Sequence, residues 1–482
     1  MKYLLLFTFF QTVSFSQNTN DVFTYLDVFD LQYVSSPQIS PDGSEIIYRR
    51  MTFDILKDKA VGNLWTVNVN GSNHQKLTSR ESEEYGATWS PDGDRLAFIS
   101  STEEGSEIYI YWKNTSKYAK ISQLEGNPSN LSWSSNGTNL AFTMKVKTLA
   151  PVLVKMPKKP KGAKWAKTAR ITDRLYHESD GKGYIEPGFT HVFLISSEGS
   201  GVSKLTSGDF NHRGPLSWSK DNSKIYFTSN RSESWEYEFR NSEIYSVDII
   251  DQKISSLTDR NGPDSNPKVS PNGKHIAYLG YQDKVQAYQN TQLSIMDTNG
   301  DNTSLISFNV DSSINDYHWD SNSKGIYYSY DKLGDTKIAY LNLDGSFRDL
   351  AENLGGNSIG RPYGGGSFSV SNNGVIAYTN TSYKHPSELT VVNGKKSTQI
   401  TNLNSHLLEN RNLGFVEEIW YKSSFDNRDI HGWVVYPPNY DSSKSYPFLV
   451  ENHGGPISNY GSRFSAEMQL YAAAGYIVFY PN

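Results

Sequence analysis

The chain contains no cysteine. That absence excludes a disulfide scaffold, thiolate metal sites and a cysteine nucleophile together. Methionine is scarce, at 6 residues, and a hydrophobic share of 37% is too low for a chain that crosses a membrane many times. Neither sign of charge prevails. The 46 Lys and Arg face 51 Asp and Glu, a formal net of −5, so composition does not point to nucleic acid. The 10 histidines show no His-Glu-x-x-His spacing, and neither a Walker loop nor a dinucleotide fingerprint occurs. Aromatic residues are abundant instead: 32 Tyr, 22 Phe and 10 Trp, with 37 Gly, in 482 residues. Such a chain is not disordered, is rich in strands and turns, and is too long for one simple core.

Long apolar runs are also missing, apart from one at the start. Met1-Lys2 precedes the apolar stretch Tyr3–Phe10, and Ser14-Phe15-Ser16-Gln17 offers small residues at a cleavage position. This is the pattern of a signal peptide over residues 1–16, with an apolar core too short to span a bilayer. It implies a soluble protein exported to a periplasm or secreted, with no membrane attachment after cleavage.

A motif recurs along most of the chain: apolar, Ser, Pro, Asp or Asn, Gly, then two variable residues and apolar-x-aromatic. It stands as Ile39-Ser-Pro-Asp-Gly43, Trp89-Ser-Pro-Asp-Gly93, Trp133-Ser-Ser-Asn-Gly137 and Trp218-Ser-Lys-Asp-Asn222. It continues as Val269-Ser-Pro-Asn-Gly273, Trp319-Asp-Ser-Asn-Ser323 and Val370-Ser-Asn-Asn-Gly374. Asp/Asn-Gly supplies the positive φ of a tight hairpin turn, and the following apolar-x-aromatic pair marks a buried strand face. Small apolar residues between them (Ala97, Ala141, Ala277, Ala377) indicate strands covered on both sides. The serine-equivalent positions 40, 90, 134, 219, 270, 320 and 371 are spaced by 50, 44, 85, 51, 50 and 51 residues. A second hairpin half lies in each interval, as in Leu64–Gly71 leading to Lys76-Leu-Thr78. Four strands per repeat of this length is the arithmetic of a β-propeller blade, and seven copies predict a seven-bladed propeller.

The 85-residue interval is too long by roughly 35–40 residues, which places an insertion at about 145–185. It carries Lys145, Lys147, Lys155, Lys158, Lys159, Lys161, Lys164, Lys167 and Arg170 without an acid up to that point, interrupted by Pro151, Pro157 and Pro160. Such a run reads as a solvated extension of one blade, the alternative being an anion or nucleic-acid patch.

From about Gly414 the pattern changes. Glu418–Lys422 and His431–Tyr436 read as two strands joined by a turn at Asp426-Asn427. Tyr446–Asn452 reads as a short buried strand, and His453-Gly454-Gly455-Pro456 follows it directly. A helix is predicted from Ser465 to Ala474, with Phe464, Met468, Tyr471 and Ala472 on one face and Gly475 ending it. Tyr476–Tyr480 is then a second buried strand, and strand-loop-helix-strand order implies a parallel sheet. Two glycines at the carboxyl end of such a strand leave backbone N–H groups facing a crevice, where they can stabilise an oxyanion.

The combination of Ser-Pro-Asp-Gly repeats, Tyr446-Pro447 and His453-Gly-Gly-Pro456 resembles the prolyl oligopeptidase family of serine peptidases. Within that family it is most similar to the acylaminoacyl-peptidase and dipeptidyl-peptidase-5 branch. The resemblance covers essentially the whole chain after the leader. It implies a propeller that gates access of short peptides to an α/β-hydrolase domain with a Ser-Asp-His triad, working without a cofactor. Gly455 then corresponds to an oxyanion-hole donor, with His453, Gly454 and Pro456 completing the turn. Trp235-Glu236-Tyr237-Glu238 is similar to the acidic pair that holds a free peptide amino terminus, although a tyrosine separates the acids here. Ordinary hairpin charges are the other reading of Glu236 and Glu238. Arg361 in Arg361-Pro-Tyr363-Gly-Gly-Gly366 is a candidate for a peptide carboxylate, or else part of a plain link between blades.

The departure from the family lies in the nucleophile: no Gly-x-Ser-x-Gly elbow follows the His453 turn, where the family carries it, and the string Gly356-Asn-Ser358-Ile-Gly360 falls earlier, within the propeller region. The expected organisation is therefore mainly β. A leader (1–16) and a short lead-in segment (17–35) precede a seven-bladed propeller (36–412), and a partial, truncated α/β-hydrolase domain (413–482) follows. The resemblance implies an exported serine peptidase whose fragment is inactive by itself and whose serine lies beyond this chain. The open alternative is a TolB-like propeller binding module without catalysis. Short peptides are the expected partners and nucleic acid is not; the sequence leaves the oligomeric state undetermined.

Overall fold

A computed structural model of the protein describes residues 21–482, except 81, 150, 151, 153, 168, 200, 357 and 456. The leader and Pro456 thus lie outside the described residues. Among the described residues, seven four-stranded antiparallel sheets follow one another, and each contains one of the seven repeats. The first consists of Tyr33–Ile39, Glu45–Asp54, Lys59–Asn68 and Gln75–Lys76. First strands of neighbouring sheets touch, which places them innermost, and the seventh sheet packs on the first. The fold is a β-propeller.

The repeat occupies the first hairpin of each sheet, and its serine has a structural task. Ser40 Oγ donates to Asp42 Oδ1 at 2.5 Å and accepts the Glu45 N–H at 3.0 Å, closing the turn from inside. Ser134 does the same with Asn136 and the Asn139 N–H, and Ser270 with Asn272 and the His275 N–H. A buried hydroxyl that must donate and accept at once explains serine at this position. Gly43, at φ +76°, takes the left-handed conformation the turn requires. The intervening Ala97, Ala141 and Ala277 are fully buried between adjacent sheets.

The tryptophans of the repeat link one sheet to the next. Trp89, Trp133, Trp218 and Trp319 each donate their indole N–H to a first-strand carbonyl of the preceding sheet: Gln38, Thr88, Ser132 and Lys268. Where the repeat has Ile39 or Val269 instead, its backbone N–H donates to Ser369 Oγ or Ser217 Oγ of the preceding sheet, both at 2.9 Å. Sequence pattern shows these tryptophans as apolar; their directional role appears only in three dimensions. Trp133→Phe is expected to keep the packing and lose one such bond, lowering stability by about 1 kcal/mol, measurable as a lower denaturant midpoint at unchanged slope.

Because the strands run up and down, all the Ser-Pro-Asp-Gly turns lie at one end of the ring. The second hairpins and the links between sheets lie at the other. The insertion is the second hairpin connection of the third sheet, between Asn139–Lys147 and Gly188–Ser196, and it contains a small hairpin, Glu178–Ser179 with Gly183–Tyr184. Most of its described residues are exposed.

Among the described residues, the ring closes without exchanging a strand between its first and last sheets. Asn372 N–H donates to Pro41 O, and Ser387 Oγ to Val34 O, across the seam. Above it the two flanks of the ring are tied: Gln32 N–H donates to Asn404 Oδ1 at 2.8 Å, Asn404 Nδ2 returns a bond to Gln32 O, and Arg411 grips Asp27 with two nitrogens.

Residues 415–481 form a separate four-stranded sheet in the spatial order Phe415–Lys422, Asp429–Tyr436, Ile477–Pro481, Phe448–Val450. The helix Ala466–Ala473 covers one side, capped by Ser465 Oγ, which accepts the Met468 N–H. Trp433, Val435, Val478, Tyr480, Met468 and Ala472 are buried together between helix and sheet.

Two expectations need correction. The sheet is mixed, because Ile477–Pro481 pairs parallel with Phe448–Val450 but antiparallel with Asp429–Tyr436. The strand expected over Tyr446–Asn452 is only Phe448–Val450 and is not buried: Phe448 is 59% exposed and Val450 50%. Likewise Ile477 and Phe479 are only half-buried, on the face the helix does not cover. A short apolar run has the composition of a buried strand, but the helix covers one face of this sheet, and Phe448–Val450 is its edge.

Candidate functional site

The His453 turn follows the carboxyl end of Phe448–Val450, where Glu451 N–H still bonds to Phe479 O at 2.9 Å. Gly455 has φ +133°, and a Cβ there would lie 2.6 Å from the Ile457 nitrogen, so only glycine fits. Gly454 and Gly455 are exposed, whereas His453 is half-buried with its ring edge-on to Tyr460, centroids 5.3 Å apart.

A propeller loop reaches this turn. It runs between the sixth and seventh sheets, from Ala351 to Phe368, and contains Arg361 and Tyr363. Gly454 N–H donates to Tyr363 Oη at 3.3 Å. The Tyr363 ring also packs at a tilt against Tyr460 with centroids 4.8 Å apart, and Gly364 N–H donates to Asn459 O at 2.9 Å. The Gly454 N–H and the nearby Arg361 guanidinium hold the Tyr363 hydroxyl below the usual phenol pKa.

Arg361 was a candidate for a substrate carboxylate. The structure gives it two carboxylates of its own: Glu467 on the helix, 2.9 Å from Nε, and Glu451 ahead of the glycine turn, 3.0 Å from Nη1. The guanidinium in turn holds the Glu467 carboxyl below its ordinary pKa. Arg361 therefore ties the propeller loop to both elements that flank the turn.

Glu236 and Glu238 lie in the second hairpin connection of the fourth sheet, at the same end of the ring as this loop. Their surroundings differ. Glu236 is half-buried and lines a cleft of about 690 Å³, formed with the insertion and walled by Arg174, Tyr176, His177, Trp235 and Phe239. Glu238 is exposed, does not line that cleft, and accepts the Ser232 hydroxyl at 3.3 Å. The insertion, read as a solvated extension, therefore also supplies one wall of the cleft. Its Arg174 stacks over Phe189, 4.5 Å from the ring centre, and Arg170 over Tyr184 at 4.0 Å. Among the described residues no group of three His, Asp or Glu side chains is arranged to hold a metal ion.

Sequence reasoning missed Tyr363, Glu451 and Glu467. The available signal was the length of the link between the sixth and seventh sheets, with its run of three glycines, but nothing local shows where such a loop lands.

Comparison with known proteins agrees with this architecture. Residues 163–285 match the family model of the dipeptidyl peptidase IV N-terminal region. Across 98% of the chain, dipeptidyl-peptidase 5 of Porphyromonas gingivalis is 27% identical, with 69% of its own length covered. A Bacillus subtilis protein named as the uncharacterized peptidase YuxL is 25% identical over 95% of the chain and 70% of its own. Among solved structures, Pyrococcus horikoshii acylaminoacyl peptidase superposes with a TM-score of 0.74 at 16% identity, covering 96% of this chain and 67% of that one. The propeller domain of the Trilobed protease from Pyrococcus furiosus, with an open velcro topology, superposes at 0.52 and 18% identity, over 78% of this chain and 98% of that one. The seamed ring described above therefore has the fold of the propellers in these solved structures. More narrowly, the chain is similar over nearly its whole length to dipeptidyl-peptidase 5 and, over residues 163–285, to the dipeptidyl peptidase IV N-terminal region. It spans about two thirds of the length of the peptidases it matches.

Proposed function

We propose that this chain is the substrate-admitting propeller and first hydrolase segment of an exported serine peptidase acting on short peptides. The observation that carries the reading is the His453-Gly454-Gly455 turn. Its exposed glycines stand at the carboxyl end of a parallel-paired strand, at the end of the ring where the Glu236 cleft opens. In this reading a serine attacks the peptide carbonyl and the Gly455 N–H binds the tetrahedral oxyanion. Glu236, without an ion-pair partner among the described residues, meets the ammonium of a free peptide amino terminus. Glu238 takes no part, and Arg361 serves the protein's own carboxylates rather than the substrate's. The nucleophile comes from sequence outside these 482 residues, whose one Gly-x-Ser-x-Gly string, Gly356 to Gly360, lies in the link between the sixth and seventh sheets and not at a strand-to-helix turn.

The test compares the 482-residue chain with the product of its reading frame carried through any downstream codons, on dipeptidyl and N-acylaminoacyl p-nitroanilides. The extended protein is expected to turn over substrate and react with a fluorophosphonate, and the 482-residue chain to do neither. Glu236→Gln should lower kcat/KM about tenfold on substrates with free amino termini and leave acylated ones unchanged. Fluorophosphonate labelling of the 482-residue chain would sink the assignment of the nucleophile. A stop codon in place of a Gly-x-Ser-x-Gly frame would favour a propeller binding module.

A further inference from the structure

We infer that Tyr363, a propeller residue, is a positioning residue for the glycine turn, so the propeller forms part of the site's geometry as well as its gate. The argument begins with the turn itself. Gly454 and Gly455 are exposed glycines, and a turn of this kind has little to hold it in one conformation. An oxyanion donor works only if its N–H is already aimed before charge develops. The turn contributes a little to its own order, since the His453 ring nitrogen Nδ1 lies 3.0 Å from Gly454 O. The Gly454 N–H is fixed from outside, by the hydroxyl of Tyr363. With that N–H directed into the propeller loop, the peptide plane before Gly454 is set, and the orientation of the next one, which carries the Gly455 N–H, is restricted.

Tyr363 is itself well anchored. Backbone bonds flank it on both sides, from Gly364 N–H to Asn459 O at 2.9 Å and from Gly461 N–H to Pro362 O at 3.0 Å. Its ring packs at a tilt against the buried Tyr460. Two residues earlier, Arg361 clamps Glu451 and Glu467, which fixes the strand end entering the turn relative to the helix that follows it. Loop, strand end and helix thus form one frame around the turn, with the Tyr363 hydroxyl as its contact with the turn's backbone.

The catalytic half of this inference rests on the peptidase reading; the contact does not. Two measurements separate them. Hydrogen exchange in the 482-residue chain is expected to be about fivefold faster at the Gly454 amide in Tyr363→Phe than in wild type. Tyr446→Phe, which removes a hydroxyl bonded to the Asp441 N–H in the same segment, should leave Gly454 unchanged. Arg361→Gln should raise exchange across residues 451–455 as a second route to the same loosening. In the extended, active protein, Tyr363→Phe is expected to lower kcat about tenfold with KM within twofold. Unaltered Gly454 exchange in both Tyr363→Phe and Arg361→Gln overturns the inference whether or not the protein is active. Faster exchange with unchanged kcat also overturns it, reducing Tyr363 to a structural contact. An extended protein that cleaves nothing sinks the peptidase reading, while the exchange data still decide the contact.

Discussion

Gly461→Ala is expected to lift the C-terminal sheet off the ring while leaving the propeller folded. A Cβ at Gly461 would lie 1.8 Å from the carbonyl oxygen of Gly334, at the tip of a hairpin in the sixth sheet. It would also meet the Arg463 guanidinium at 2.2 Å. The first clash is with backbone and cannot be relieved by a rotamer change. The contact is close from the hairpin's side too, because a Cβ at Gly334 would lie 2.5 Å from the Trp433 ring and 3.1 Å from Tyr460 O. Arg463 is buried as well, donating to Thr336 Oγ1 at 2.7 Å, so a displaced segment loses that bond too. Together these set the cost at about 3 kcal/mol or more. Limited proteolysis should show faster cleavage between residues 400 and 415, and the fluorescence of buried Trp433 should shift to the red. Gly360→Ala, where a Cβ meets nothing within 4 Å, is the control and should behave as wild type. Equal protease resistance of both variants would mean that the packing of propeller against sheet is looser than this geometry requires.

The second expected result concerns pH. Glu388 is 1% exposed in the seventh sheet, where it accepts Thr401 Oγ1–H at 2.5 Å and the Leu403 N–H at 2.8 Å. Burial pushes its carboxyl up to about 7, against the lowering effect of those bonds and of Arg50. Because the folded value exceeds the unfolded one, the associated stability is complete below about pH 4.5 and is lost as pH rises through about 7. Glu388→Gln keeps an acceptor for Leu403 and places an amide against Thr401, so the two proteins should be similarly stable near pH 5. At pH 8 the variant should be more stable by about 2–3 kcal/mol. The difference between the two curves is the quantity to read. Glu243 is likewise pushed up to about 7 by burial, while burial pushes His212 down to about 4 and gives a slope of opposite sign. Parallel curves for wild type and variant from pH 5 to 8 would refute the assignment.

The sheets were legible because their information is local. Ser-Pro-Asp-Gly fixes a turn within a few residues, and the apolar-x-aromatic pair fixes the face of the next strand, so seven repeats locate seven first hairpins. The helix Ala466–Ala473 was legible for the same reason, with Ser465 as its cap and Gly475 at φ +92° just past its end. What failed to show was whatever depends on which element lies opposite. Phe448–Val450 has the composition of a buried strand but sits at an open edge, and composition does not count neighbours. Arg361 has the chemistry to meet a ligand carboxylate, and only the fold reveals that Glu451 and Glu467 are already there. Glu236 and Glu238 are two positions apart in sequence yet differ in surroundings, because only the first turns toward the insertion.

The seam between the first and seventh sheets is the one joint in the ring that no short link of chain bridges. Gln32 and Asn404, which exchange two bonds above it, are 372 residues apart. Closing a flexible loop of that length from scratch would cost about 5 kcal/mol in chain entropy. The intervening sheets remove most of that cost, because each one stacked on its neighbour turns the growing arc further toward closure. By the time all seven are in place the two flanks already face each other, and the ties at Asp27, Gln32, Asn404 and Arg411 operate as they would within one small molecule, at high effective concentration. A few weak bonds are then enough to fasten a bracelet whose links have done the bending.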